Sequence, residues 1–512
     1  MVKEKTISNN KRIARNTGLL YFRMMLVMIV TFYTTRVVLD ALGVVDYGIY
    51  NVVGGVVAML TFLNSTLSST CQRYFSYELG RDNKEGLSKL FKLNFSVYII
   101  FIIIILLFAE TIGLWFVNNK LDKIPLDRLC ATNWVYQFTI FTIIATSISV
   151  PYNALIISHE KMDIYAYITI VEVLMKLGVA MSLSFCSSDK LVFYAFLMLL
   201  SHVLVTLFYY LYCRRKYPES RFSFYWDRVR FKEIVSYSGW HLIGAISVMI
   251  RNQGVNVLLG TFFMPVVNAA RGIAFQVMTA VDSLTNSFFT AAKPQIYKYY
   301  GSGEINKMHH LVCWSSKLCY YLVAILAFPI LFNTQMVLSL WVKVVPDYAV
   351  LFTQLVLINA IIDSLNGPSI AAALATGKIR NFEIITGGLM ILNLPVSYVF
   401  LRLGWAPEIT MYVSITISLL TIVVRAFIIE RLVGLTVRVF MNKVVLPLLL
   451  ISALTPVLPY FAVGYISSNE WINLAVSSLL CIVTLTVLMF FLAFSAADRE
   501  KVISFISNRV KI

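Results

Sequence analysis

Three arginines stand inside long apolar runs of this sequence: Arg36, Arg251 and Arg271. A guanidinium at membrane depth is costly and is a functional candidate by default. Its planar fork makes bidentate contacts to oxyanions, and its weak hydration lowers the cost of stripping water. Grouped in a water-filled chamber, Arg251, Arg271 and Arg36 would hold a phosphate or diphosphate. Arg251 is the deepest, roughly 16 Å from the outer end of its run and too far in for comfortable snorkelling. Arg36 and Arg271 lie roughly 7–10 Å from the outer end, where snorkelling outward is an equal alternative. Arg36 also has Asp40 at i+4, an intrahelical neutralising partner.

Two polar stripes accompany the arginines. Asn359, Asp363 and Asn366 fall at i, i+4 and i+7 and are followed by Pro368; Thr142, Thr146 and Ser149 repeat that spacing and are followed by Pro151. Such spacing puts each set on one helix face. Both stripes should face a cavity rather than lipid; polar glue between helices is the alternative reading. Pro151 and Pro368 are candidate hinges, because proline breaks a helical hydrogen bond. Asp363 is the best candidate for coupling to H⁺ or Na⁺, with Asp282 and Glu172 behind it. Glu172 has Lys176 at i+4, and a mutually satisfied pair is the simpler account of it.

Soluble-enzyme chemistry is missing. The sequence contains no GxxxxGK[ST], GxGxxG, HExxH or GxSxG. Its seven cysteines form no CxxC or Cys/His metal spacing. No catalytic residue, no metal and no cofactor are therefore expected, and the chain reads as a non-enzyme.

The elements that must position these residues follow from composition. Of 512 residues, 59% are hydrophobic and only 13% charged, with a mean hydropathy of +0.77. Lipid is the solvent such a chain fits. The expected fold class is all-α integral membrane, with spans near 17–43, 48–70, 93–117, 131–157, 164–186, 191–213, 233–261, 266–292, 310–333, 348–375, 382–402, 409–430, 443–464 and 472–495. A barrel would instead show alternating ten-residue segments. With the N-terminus inside, the inner segments hold 30 of the 43 lysines and arginines and the outer loops 6. That asymmetry supports about fourteen spans, with both termini cytoplasmic. It also explains the net charge of +17 as basic inner loops, with no nucleic-acid partner. The first apolar run is too long for a signal-peptide core and reads as a retained span.

An internal repeat organises the spans. Leu42-Gly43, Asn51 and Gly55 recur as Leu259-Gly260, Asn268 and Gly272, and Pro151, Ala154 and Lys161 recur as Pro368, Ala371 and Lys378, all at an offset of 217. Gly80 and Gly301 correspond at an offset of 221. Two six-helix lobes of equal orientation follow, as in parallel-repeat transporters. The expected division is an N-lobe over 1–213, a basic cytoplasmic linker over 214–232, a C-lobe over 233–430, two extra helices over 443–495 and a cytoplasmic tail over 496–512.

Several segments resemble a known family. They are Asn16-Thr17 onward, Leu42-Gly43-Val-Val-Asp46-Tyr47-Gly48-Ile-Tyr50, Arg73-Tyr-Phe-Ser-Tyr-Glu-Leu-Gly80, and Pro151-Tyr-Asn-Ala154 through His159-Glu160-Lys161-Met162. They look like the O-antigen and capsular polysaccharide flippases of the multidrug/oligosaccharidyl-lipid/polysaccharide exporter superfamily, and the resemblance spans nearly the whole chain. It implies transport of an undecaprenyl-diphosphate-linked oligosaccharide from the cytoplasmic to the outer leaflet of the bacterial inner membrane. Two lobes would open alternately to either side. A polysaccharide polymerase and glycosyltransferases are the partners it suggests. A multidrug or cation antiporter of the same fold and a peptidoglycan lipid precursor flippase are the rival readings.

Overall fold

The structure, a computed structural model, describes residues 2–58, 61–119, 126–185, 189–221, 223, 225–263, 265–342, 345–466, 470–495 and 499. The expected tail over 496–512 lies outside them, apart from residue 499. Among the described residues every regular element is a helix. This is the outcome lipid demands, because only a helix or a closed barrel pairs all backbone groups internally.

The long helices are α1 (Val2–Ala58), α2 (Thr61–Gly80), α3 (Lys84–Gly113), α4 (Leu129–Ser158), α5 (Met162–Phe185), α6 (Lys190–Lys216), α7 (Arg228–Phe262), α8 (Pro265–Gly301) and α9 (Ile305–Phe332). They continue as α10 (Ala349–Asp363), α11 (Asn366–Ala375), α12 (Arg380–Arg402), α13 (Ile409–Val433), α14 (Val437–Phe461) and α15 (Glu470–Ala493). Twelve spans are long and apolar enough to cross a membrane, against the fourteen expected. The expected spans 48–70 and 266–292 are not among the twelve. The first crosses residues 59 and 60, outside the described residues. The second is α8, which is 37 residues long but carries Arg271, Asp282 and Lys293 in its sequence.

Local chemistry sets the helix ends. The Asp189 carboxylate accepts from the N–H groups of Leu191 and Val192, at 3.0 and 3.2 Å, and starts α6. Arg214, Arg215 and Lys216 close the same helix, where cations suit the dipole. Gly43 divides α1 into two helical halves at φ +76°, a backbone region that favours glycine.

The chain forms two compact units. Unit 1 comprises residues 1–242 and 297–303; unit 2 comprises 243–296 and 304–512. Unit 1 packs Ile49, Val53, Val135, Tyr136, Ile140 and Leu191 into one apolar cluster. Unit 2 packs Val255, Leu259, Ala270, Phe352, Val356 and Met411 into another. Large apolar side chains on the outside, such as Ile103, Leu107, Leu420 and Phe427, are half exposed. In water they would be a liability; in lipid they face their own solvent.

The inner-face motifs knit unit 1 together. Glu160 pairs with Lys298 at 2.6 Å, and its carbonyl accepts from the Asn16 amide at 3.1 Å. His159 meets Glu219 at 2.9 Å and stacks on Tyr217. Gly80 and Gly301, partners in the internal repeat, form a reciprocal crossing. A Cβ on Gly80 would strike the Lys298 backbone, and one on Gly301 would strike the Tyr77 backbone. Tyr77 and Lys298 are themselves related by the same offset of 221, so the contact is two-fold symmetric within unit 1. Backbone cannot yield as a flexible side chain can. Gly80→Val and Gly301→Val should therefore each cost about 1–3 kcal/mol. Gly178→Ala and Gly388→Ala, which meet nothing within 4 Å, should leave stability near that of the parent. Thermal unfolding of the purified protein in detergent checks both outcomes.

Candidate functional site

Arg251, Arg271 and Asp363 all lie in unit 2. Asp363 ends α10, and its two carboxylate oxygens take three donors. Arg251 Nη2 lies 3.3 Å from Oδ2. Asn359 Nδ2 donates to Oδ2 at 3.0 Å, and Asn366 Nδ2 donates to Oδ1 at 3.1 Å. The stripe seen in the sequence thus converges on its own aspartate. Local backbone makes this possible. Pro368 has no N–H for the Ser364 carbonyl, and the helix breaks into a turn at residues 364 and 365, between α10 and α11. Arg251 sits on a π turn, Ile250–Gly254, inside α7. Such single-turn bulges recur at functional sites.

Arg271, on α8, is 6% exposed. Its Nη2 donates to the Asn252 carbonyl at 2.8 Å, and its guanidinium lies 4.1 Å over the Phe275 ring. Its Nε has no protein partner, and neither has the Asn359 Oδ1. Arg251, Arg271 and Asn359 line one small cavity with Asn252, Phe275 and Ser414. Its volume of about 30 Å³ admits a water but not a diphosphate. In this conformation the two arginines are neighbours in a closed space, with only Arg251 ion-paired.

Sequence reasoning missed Arg425, on α13, which is 4% exposed. It lies within electrostatic reach of Asp363, Arg251 and Glu383. A signal was present: Ser414, Ser418, Thr421 and Arg425 fall at i, i+4, i+7 and i+11, a third polar stripe. Glu383 was missed as well. It packs against Gly244, where a Cβ would collide with its carboxylate. Asp282 is half-buried on α8, within electrostatic reach of Asp363.

The remaining candidates belong to unit 1. Arg36 is exposed on α1, and no ion pair joins it to Asp40 among the described residues. Thr142, Thr146 and Ser149 each donate to a carbonyl of their own helix, at 2.8, 2.9 and 2.7 Å. Pro151 lies inside α4, which runs unbroken past it, unlike the chain at Pro368. Thr146 and Ser149 line a cavity of about 190 Å³ with Asn153, Thr169, Glu172 and His202. There Glu172 pairs with Lys176 at 2.6 Å, and His202 Nδ1 lies 4.0 Å from the same carboxylate oxygen.

The Asp363 hub yields a stability test. Asp363→Ala leaves Arg251 and two amides without their acceptor and should cost about 1–3 kcal/mol. In a double-mutant cycle with Arg251→Ala, the coupling energy should be about 0.5–3 kcal/mol. Additive losses in thermal unfolding would show that the pair contributes nothing.

The geometry can be set beside known proteins. No curated sequence matches the chain. Solved structures do. A multidrug resistance MATE family transporter of the MOP superfamily, in its outward-facing conformation, superposes with a TM-score of 0.71 at 14% identity, covering 83% of this chain and 96% of that one. A MATE transporter in the bent conformation gives 0.70 at 14% identity, with coverage of 83% and 96%. A mutant of the Vibrio cholerae MATE transporter VcmN gives 0.64 at 12% identity, with coverage of 83% and 97%. At such identities the likeness concerns the fold, which is that of MATE-type transporters. A family model described as polysaccharide biosynthesis protein matches residues 13–299, more than half of the chain. The many spanning helices make this a multi-pass membrane protein. The chain belongs to the polysaccharide biosynthesis protein family.

Proposed function

We propose that the protein is a flippase for a lipid-linked oligosaccharide, moving an undecaprenyl-diphosphate-linked repeat unit from the cytoplasmic to the periplasmic leaflet of a bacterial inner membrane. The supporting observation is an under-satisfied arginine in unit 2: Arg271 shares a small cavity with Arg251 and keeps an unpartnered Nε, with no carboxylate at ion-pair distance among the described residues. A guanidinium so placed suits a diphosphate, which offers paired oxygens to a planar fork.

In this reading the substrate diphosphate replaces Asp363 as the partner of Arg251 when the cavity opens. Binding of H⁺ or Na⁺ at Asp363 would loosen the same ion pair, so a cation gradient could be tied to substrate binding at one residue. Asn359 and Asn366 then turn from Asp363 to sugar hydroxyls, as Thr146 and Ser149 do in unit 1, while the polyprenyl tail stays in lipid. Arg36 serves as a further phosphate contact. Translocation makes and breaks no covalent bond. The bias of lysine and arginine along the sequence supports a cytoplasmic side for both termini.

A strain lacking the gene, complemented with variants, provides the test. Arg271→Ala should abolish surface polysaccharide at unchanged protein level, and Arg271→Lys should restore it only in part. Loss of one charge-assisted contact, about 1.5–3 kcal/mol, corresponds to a ten-fold or larger fall in binding. Full surface polysaccharide from both Arg271→Ala and Arg251→Ala would reject the assignment. Altered drug susceptibility with normal polysaccharide would instead point to a multidrug antiporter, and a requirement for growth itself to a peptidoglycan lipid precursor flippase.

A further inference from the structure

A second cavity in unit 2 lies away from the arginines. It has a volume of about 580 Å³ and is bounded by the start of α9, the link from α13 into α14, and the end of α15. Its polar lining includes Lys317, Lys443, His309, His310, Asn442 and Ser495, and no acidic residue lines it among the described residues. Trp314, Leu435 and Leu492 supply an apolar wall. Two π turns border it, Met441–Val445 and Met489–Ala493. Each leaves a local distortion in the helical ladder, as functional sites often require.

The cations differ in what already occupies them. Lys317 is buried and donates to the Ala493 carbonyl at 2.6 Å. It thereby closes one of the carbonyls left open at the end of α15, a structural duty that suffices to explain it. His309 is likewise bonded, to the Val433 carbonyl at 2.8 Å. Lys443 is exposed on the first π turn, and no carboxylate stands at ion-pair distance from it among the described residues. Lys317 and Lys443 both lie within electrostatic reach of Cys313, so their charges converge on one wall of the cavity. Closing helix ends accounts for Lys317 and His309 but not for the exposed Lys443 on a space of this size.

We propose that this cavity binds the phosphate of an acidic phospholipid headgroup. Its volume falls in the range of small-molecule sites. The lysines and His310 would face the phosphate, and the apolar wall would take the glycerol and the first methylenes. By the distribution of lysine and arginine the cavity opens on the cytoplasmic side, where anionic headgroups draw basic pockets between helices. The inference does not rest on what the protein transports.

Native mass spectrometry of the full-length protein, released from detergent with defined lipids, gives the test. The parent should retain phosphatidylglycerol in preference to phosphatidylcholine. Lys443→Gln should reduce that preference about five-fold, and the Lys443→Gln, His310→Gln double variant further, following roughly 1 kcal/mol per basic group. Both residues are exposed and should leave the elution profile unchanged; His310→Gln alone provides a second, milder readout. Lys89→Gln, a basic residue outside the cavity that already pairs with Glu85, should leave the preference intact. Equal retention by the parent and the double variant overturns the proposal, as does an equal loss in Lys89→Gln, which would mean general surface attraction. Displacement of the lipid by inorganic phosphate alone would make a free anion the occupant and reject the lipid headgroup.

Discussion

A charged side chain inside a bilayer keeps its charge only where the protein supplies what water would have supplied. In unit 2 that duty falls on the Asp363 carboxylate, whose oxygens accept from Arg251, Asn359 and Asn366. The broken helix, the π turn of α7 and the polar faces of α10 and α13 all serve this arrangement. Asn366 lies three residues beyond Asp363, where side chains of a helical backbone are neighbours, and its amide reaches the carboxylate at 3.1 Å.

The two repeats have diverged around this point. Thr142, Thr146 and Ser149 send their hydroxyls to their own helix backbone, and α4 continues through Pro151. Hydroxyls can be satisfied locally, so this stripe needs no break and no partner helix. A carboxylate has no proton to give to a helix carbonyl, so Asp363 takes its donors from other side chains, and the helical ladder of unit 2 is interrupted beside it. The same ancestral spacing thus yields a continuous neutral helix in one unit and an interrupted charged one in the other. The glycine pair Gly80 and Gly301 took the opposite course. Each still approaches a backbone too closely for any side chain, because a crossing this tight tolerates no divergence at either position.

The fold was largely legible from the sequence because lipid imposes long apolar helices, and their charge-biased loops report orientation. The residues of the hub were legible too, since i, i+4, i+7 spacing places Asn359, Asp363 and Asn366 on one face. Their mutual bonding was not, because spacing fixes a face and leaves open whether it turns to a cavity or to itself. The stripe ending in Arg425 was present at the same spacing, but Arg425 lies near a helix end, where arginine ordinarily snorkels. Only packing reveals that it stays 4% exposed. Glu383 gave no periodic signal, since its role is set by the missing side chain at Gly244 on another helix. The span over 266–292 shows the converse: its polar residues lowered the hydropathy of α8 until it no longer met the composition of an ordinary span.

Counting charges does not distinguish an anion carrier from a cation pump. In unit 2 the arginines Arg251, Arg271 and Arg425 stand with the acids Asp282, Asp363 and Glu383, so the numbers balance. What differs is how each charge is held. Asp363 is saturated by three donors. Arg271 rests on a carbonyl and an aromatic face, both weaker than a carboxylate, and retains a donor to give. A cation entering this region would have to displace Arg251 from Asp363 and would then sit beside Arg271, repelled at short range. An anion would meet two guanidinium groups and could release Asp363 in exchange. Among the charged groups of the hub, the one left under-satisfied in the closed state is the Arg271 guanidinium, and that asymmetry rather than the count of charges is what favours an anion.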